Sequence, residues 1–142
     1  MVRRLKVYFI HSLKMDYNNL YYKHILNSKV CLNHELILPA TKNYQTEYVK
    51  ELMDKADIII AEVSDSNLAL KVELKWLRKC NKPIKYISLS NTIPSGLTKL
   101  VPELDVATVE RPIITIIEEF ITHYANMSKE EQDLPTIILG DM

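Results

Sequence analysis

Glu73 is the residue whose surroundings in the sequence most need a chemical explanation. It lies in SDSNLALKVELKWLRKC, where apolar spacing predicts a helix over 68–79 with Asp65 and Ser66 as capping residues. At 100° per residue, Val72, Trp76, Ala69, Cys80, Leu77, Leu70 and Leu74 share one arc, and Lys71, Lys75, Arg78 and Lys79 share the other. Glu73 falls at about 140° from Leu68, in the middle of the apolar arc. A carboxylate there must be paired, hydrogen-bonded or protonated, because burying it alone is costly. Three outcomes are open. A chemical role requires it there, a neighbour such as Lys14 or His11 pairs with it, or it leans from the first turns of the helix toward solvent or the preceding loop.

The elements that must position this residue alternate in type. A continuous apolar run over 5–10 reads as a strand with neighbours on both sides, followed by a polar loop holding His11, Ser12, Lys14 and Asp16. Helical spacing over 17–28 leads to a short strand over 35–38 ended by Pro39. Thr46 is positioned to cap a helix running to Lys55, and the fully apolar strand 57–63 then feeds the helix of Glu73. Pro83 opens a fourth strand over 84–89. A helical turn over 97–101, a fifth strand over 106–109 and a helix after Pro112 follow. This alternation predicts an α/β fold of flavodoxin-like, doubly wound type. Its five-stranded parallel sheet has the order 2-1-3-4-5, the helices after strands one and five lie on one face, and those after strands two and three lie on the other.

Ligands in such sheets bind beyond the carboxyl ends of the strands, where the strand order reverses. That edge gathers Tyr8 and residues 11–14 from the first strand, 64–67 from the third and 88–96 from the fourth. Ser12, Lys14, Asn67 and Ser95 suffice to hold a phosphate there without requiring one.

With 142 residues and 47% hydrophobic content, the chain suits one domain with a substantial core. The domain is expected over 1–125, with a linker and apolar tail over 126–142. The apolar cluster at 136–139 either folds back on its own domain or docks on a second subunit. Eighteen basic and 18 acidic side chains balance, so no global field favours nucleic acid or an anionic membrane. The start MVRRLKVYFIHS reads as a first strand rather than a signal peptide, and no run reaches transmembrane length. Cys31 and Cys80 give neither a disulfide framework nor a metal site, so a cytoplasmic protein with reduced thiols and no cofactor is expected.

Ala56-Asp57-Ile58-Ile59-Ile60-Ala61-Glu62-Val63, then Asn67-Leu68, Val72-Glu73-Leu74 and Asn81-Lys82-Pro83-Ile84, together resemble the nucleoside 2-deoxyribosyltransferases and the related deoxynucleoside monophosphate N-hydrolases. The resemblance covers roughly residues 5–125 and puts Glu73 on the family's nucleophile. Val7-Tyr8-Phe9 with Ser12 matches the family's first strand and loop, so Tyr8 falls on its active-site tyrosine and Lys14 near a phosphate-holding arginine. The implied chemistry is cleavage of an N-glycosidic bond through an oxocarbenium-like state, which a carboxylate beneath the sugar stabilises or attacks. A nucleoside or nucleotide ligand and a homo-oligomer follow from the same resemblance.

This chain departs from the family at defined points. Asn67-Leu68-Ala69-Leu70-Lys71 stands where the family has Ser-Leu-Gly-x-Gly, and His11 stands where its first loop has glycine. Val49 aligns with the hydrolases' base-protonating aspartate. Asp54, Glu47 or Glu51 after a register shift, or His11 from the opposite wall, would have to supply that proton. Two other readings therefore stand beside the enzyme: a member without turnover that binds a nucleotide or a protein, and another doubly wound module such as a TIR-like domain.

Overall fold

The computed structural model describes residues 3–41, 48–65, 68–90, 97 and 99–127. At its centre β3 (Ile58–Glu62) is buried at every position, as a strand with neighbours on both edges and helices on both faces must be. It runs parallel to β1 (Lys6–Ile10) on one side and to β4 (Ile84–Ser88) on the other. β2 (Glu35–Ile37) joins beyond β1 and β5 (Asp105–Val106) beyond β4, giving a five-stranded parallel sheet in the expected order β2-β1-β3-β4-β5.

The pleat divides the core in two. Val7, Phe9, Ile58 and Ile60 pack against α1 (Lys23–Leu26), α2 (Lys29–Leu32) and α5 (Ile113–Ala125). Tyr8, Ile10, Ile59 and Ala61 face α3 (Val49–Lys55) and α4 (Leu68–Leu77). Full burial of each isoleucine contributes about 2 kcal/mol, so the paired central strands are the main apolar reservoir of the fold.

Several elements differ from their expected extents. The helix expected over 17–28 is a π-helical turn, Asn18–Tyr22, that continues into α1. It breaks before α2, where the Ser28 hydroxyl caps a new helix by accepting the Cys31 N–H at 3.1 Å. The wide π turn brings the consecutive residues Tyr21 and Tyr22 inward together. The strand expected over 106–109 is confined to Asp105–Val106 because the chain turns at Thr108. The Thr108 N–H donates to the Arg111 carbonyl, and the Arg111 N–H donates to Thr108 Oγ1, each at 2.9 Å. α4 ends at Leu77 rather than at 79.

Among the described residues no helix is long and apolar enough to cross a membrane. Cys31 is buried and Cys80 half-buried, both as free thiols. α3 starts at Val49 with Tyr48 in the N-cap position rather than being capped from Thr46, so the helix is shorter than expected. Thr46 itself, Ser66, Glu47, the loop 91–96 and the tail 136–139 lie outside the described residues.

Candidate active site

Tyr8 stands in β1 in register with Ile37 of β2 and Ile59 of β3, and alternation sends its side chain to the α3 and α4 face. It is fully buried, and its hydroxyl has no hydrogen-bond partner. Nearly every buried polar atom in a folded protein is bonded, so a buried hydroxyl without a protein partner is an exception in this core. Burial holds its pKa far above the ordinary tyrosine value, and the charges of Glu73 and then Tyr22 push it further the same way.

Glu73 lies on the inward stripe of α4 together with Leu70, Leu74 and Leu77, all three of which are buried. Desolvation alone lifts its carboxyl from the ordinary 4.5 to about 7. Neither Lys14, whose side chain is exposed, nor His11, whose ring is bonded elsewhere, pairs with it. The hydrogen bond to Tyr8 that the family resemblance implies is not formed either, since the hydroxyl has no partner. The Glu73 charge raises the Tyr8 pKa without a bond between the two groups.

A carboxyl whose pKa is raised by folding binds protons more readily in the folded state than in the unfolded one. Its burden on stability is therefore absent below about pH 4.5 and complete above about pH 7. Replacing it with the neutral isostere in Glu73→Gln should raise the melting temperature by an amount that grows across this interval and then levels off. Thermal melts of parent and variant from pH 4 to 9 read this directly, and a difference that is flat with pH would contradict it.

The loop after β1 is tightly tied. His11 Nδ1 donates to the Ser12 carbonyl at 3.1 Å, so the neutral ring must accept at Nε2, where the Tyr22 hydroxyl donates at 2.6 Å. Burial lowers the His11 pKa against the raising effect of that Ser12 bond, which keeps the ring neutral. Tyr22 also accepts the Ala40 N–H at 3.2 Å, and burial holds its own pKa up at about 12. Tyr17 stacks on His11 with ring centroids 4.7 Å apart. With both nitrogens engaged, His11 fixes Tyr22 and the loop.

Ser12 is also engaged. Its buried hydroxyl donates to Asp65 Oδ2 at 2.8 Å and accepts the Lys14 N–H at 3.1 Å, joining the β1 loop to the β3 loop. Of the other expected ligand-binding residues, Asn67 and Ser95 lie outside the described residues.

Sequence reasoning missed Glu62, which is fully buried at the end of β3 on the face opposite Tyr8. Its Oε1 accepts both the N–H and the hydroxyl of Ser64 at 2.9 Å, and its Oε2 accepts the Leu89 N–H at 3.0 Å. Burial raises its pKa, opposed by these three bonds. It ties the loops after β3 and β4 to one point. The available signal was a lone carboxylate closing an otherwise apolar strand.

Cavities lie on other parts of the surface, among them one of about 360 Å³ between the end of α4 and the start of β4. Another, of about 620 Å³, is flanked by β4 and the 102–105 segment. A further one, of about 260 Å³, lies between α3 and α4, where the Lys50 ammonium sits 4.8 Å from the Trp76 ring centroid. Among the described residues no grouping of three or more His, Cys, Asp or Glu side chains is placed to hold a metal ion.

No family model matches the chain, and no curated protein matches it. Among solved structures it is similar to a conserved protein from Enterococcus faecalis V583, at 14% identity over 90% of this chain and 94% of that chain, with a TM-score of 0.45.

Proposed function

We propose that this chain is an N-glycosidic bond hydrolase or transferase acting on a nucleoside or nucleoside monophosphate, with Glu73 as nucleophile. The observation that carries this reading is the pairing of two unsatisfied groups on one face of the sheet. Glu73 is a desolvated carboxyl near neutrality with no hydrogen-bond or ion partner among the described residues, and Tyr8 is a buried hydroxyl with no bond. A merely structural carboxylate would be expected to have found a partner. In the reaction the C1′–N bond breaks and its electron pair leaves with the base, which takes up a proton. A Glu73 oxygen bonds to C1′, and water or a second base then displaces it with inversion at the same carbon. Tyr8 is suited to donate to the ionised carboxylate once a sugar closes the site, lowering its pKa at the moment of attack.

The engagement of both His11 nitrogens favours a second reading. A member of this fold lacking a free acid to protonate the departing base would bind a nucleotide or a protein without turnover. Incubation with the common nucleosides and their monophosphates, with and without a free acceptor base, separates the two. Released or exchanged base is expected. Saturable binding with no base released from any member of the panel would leave only the second reading.

A further inference from the structure

We propose that the cavity between α3 and α4 is a second binding site, one that takes a free aromatic α-amino acid. It lies beside the C-terminal half of α4 and shares no lining residue with the Tyr8 and Glu73 region, so it is independent of the glycosidase reading. Its floor is apolar. Met53 is buried there, and the Trp76 indole and the Cys80 thiol are half-buried. An indole flanked by a thioether and a thiol suits a flat aromatic ring, through offset stacking and sulfur–ring contacts. A volume of about 260 Å³ is small for a ligand site and matches a molecule of amino-acid size better than a nucleotide. Lys82 fixes the base of the cavity. Its ammonium donates to the Asp54 carbonyl at 2.6 Å and also to the Ala56 carbonyl, tying the end of α3 to the chain beyond α4.

The rim carries the complement of a zwitterion. Lys50 and Asp54 stand one turn apart on α3, and Lys79 lies across the cavity just after α4. Two ammonium groups and a carboxylate thus line one small space, yet these three side chains form no ion pair with one another. Lys50 instead sets its ammonium 4.8 Å from the centre of the Trp76 ring. An exposed cation–π contact is weaker than a charge-assisted hydrogen bond, so a carboxylate entering the cavity draws Lys50 to itself and uncovers the indole for stacking. An α-amino acid offers that carboxylate to Lys50 and Lys79, and offers its ammonium to Asp54 on the same rim. A simple carboxylate leaves Asp54 beside it as a like charge, and a simple amine does the same with the lysines. All three rim groups are exposed, so water screens their pairing and affinity is modest, on the order of 1 mM.

Trp76 is the chain's one tryptophan, so its fluorescence and its indole N–H resonance report on this cavity alone. The test titrates the protein with L-phenylalanine, with 3-phenylpropionate, which lacks the ammonium, and with phenethylamine, which lacks the carboxylate. L-Phenylalanine should give a saturable change in both signals and bind about tenfold or more tightly than either analogue. Asp54→Asn should abolish the preference over 3-phenylpropionate, whose own binding should be unchanged or tighter. Lys79→Gln should weaken L-phenylalanine and 3-phenylpropionate alike. Both substitutions are at exposed positions and leave the fold intact. The absence of a saturable change with all three probes would overturn the proposal. So would either analogue binding as tightly as L-phenylalanine, or Asp54→Asn keeping the parental preference. Base release is not a readout here, so failure of the glycosidase reading leaves this site standing, and failure of this site leaves that reading standing.

Discussion

Glu73→Ala is expected to lower base release by on the order of 10³-fold or more while leaving the melting temperature equal to the parent's or higher. Both halves follow from one feature. A nucleophile removed outright takes the covalent route with it, whereas a carboxyl lifted to about 7 by desolvation alone has no described partner to leave behind. The void left by truncation offsets part of the gain, which is why the isosteric Glu73→Gln should be the more stable of the two variants. A structural glutamate would behave in the opposite way, costing about 1 to 3 kcal/mol with no activity to lose. Melting temperature and base release measured on the one variant separate these cases. A destabilised protein that turns over at the parental rate would end the claim for Glu73.

Glu62→Ala is expected to have the opposite effect on stability, although the residue type is the same, because Glu62 is fully buried and bonded where Glu73 is half-buried and unbonded. Its carboxylate accepts from two backbone N–H groups and one hydroxyl, and truncation leaves those donors without that acceptor at the end of the central strand. The loss should be on the order of 3 kcal/mol, or about 10 °C in melting temperature for a chain of this size. Glu62→Gln should not rescue it fully, because one end of the amide is a donor facing a donor. Hydrogen exchange at the Ser64 and Leu89 amides gives a local readout, with protection falling at both positions in Glu62→Ala and at the position facing the amide nitrogen in Glu62→Gln. Stability within about 0.5 kcal/mol of the parent would show that these bonds are dispensable.

The difference between these two glutamates also shows how far the sequence was legible. Glu73 stood out because it interrupts a periodic apolar face, and periodicity is a local property of a dozen residues. Glu62 closes a continuous apolar strand, and one of its partners, Leu89, lies 27 positions away. Ser12 and Asp65 are likewise joined across 53 positions, so no spacing rule reveals that their loops meet. Sheet order was legible because right-handed crossovers leave few alternatives once strands and helices alternate. The break at Ser28 was not, because Leu20, Tyr21, His24 and Ile25 keep helical spacing up to the residue whose hydroxyl starts the next helix. The inward turn of Tyr22, and with it the engagement of His11, depends on a π turn that has no marker in residue type.

The brevity of β5 bears on how the protein behaves in crowded solution. Among the described residues β5 covers β4 only at Ile87 and Ser88, so the first half of β4 presents a margin that a strand from another molecule could extend. Lys85 sits in that half, held to Asp105 at 2.9 Å, and an incoming strand would have to bury its ammonium against apolar neighbours. Burial pushes the Asp105 carboxyl up, but the bonds from Arg111 and Lys85 outweigh it and hold the pKa below the ordinary carboxylate value. Asp105 therefore keeps its charge into acid where an unpaired aspartate would already be neutral, and the clasp on Lys85 lasts as long as that charge does. In colloidal terms, the exposed flank of the sheet carries its own deterrent against fibrous growth, and acidification weakens that deterrent late rather than early.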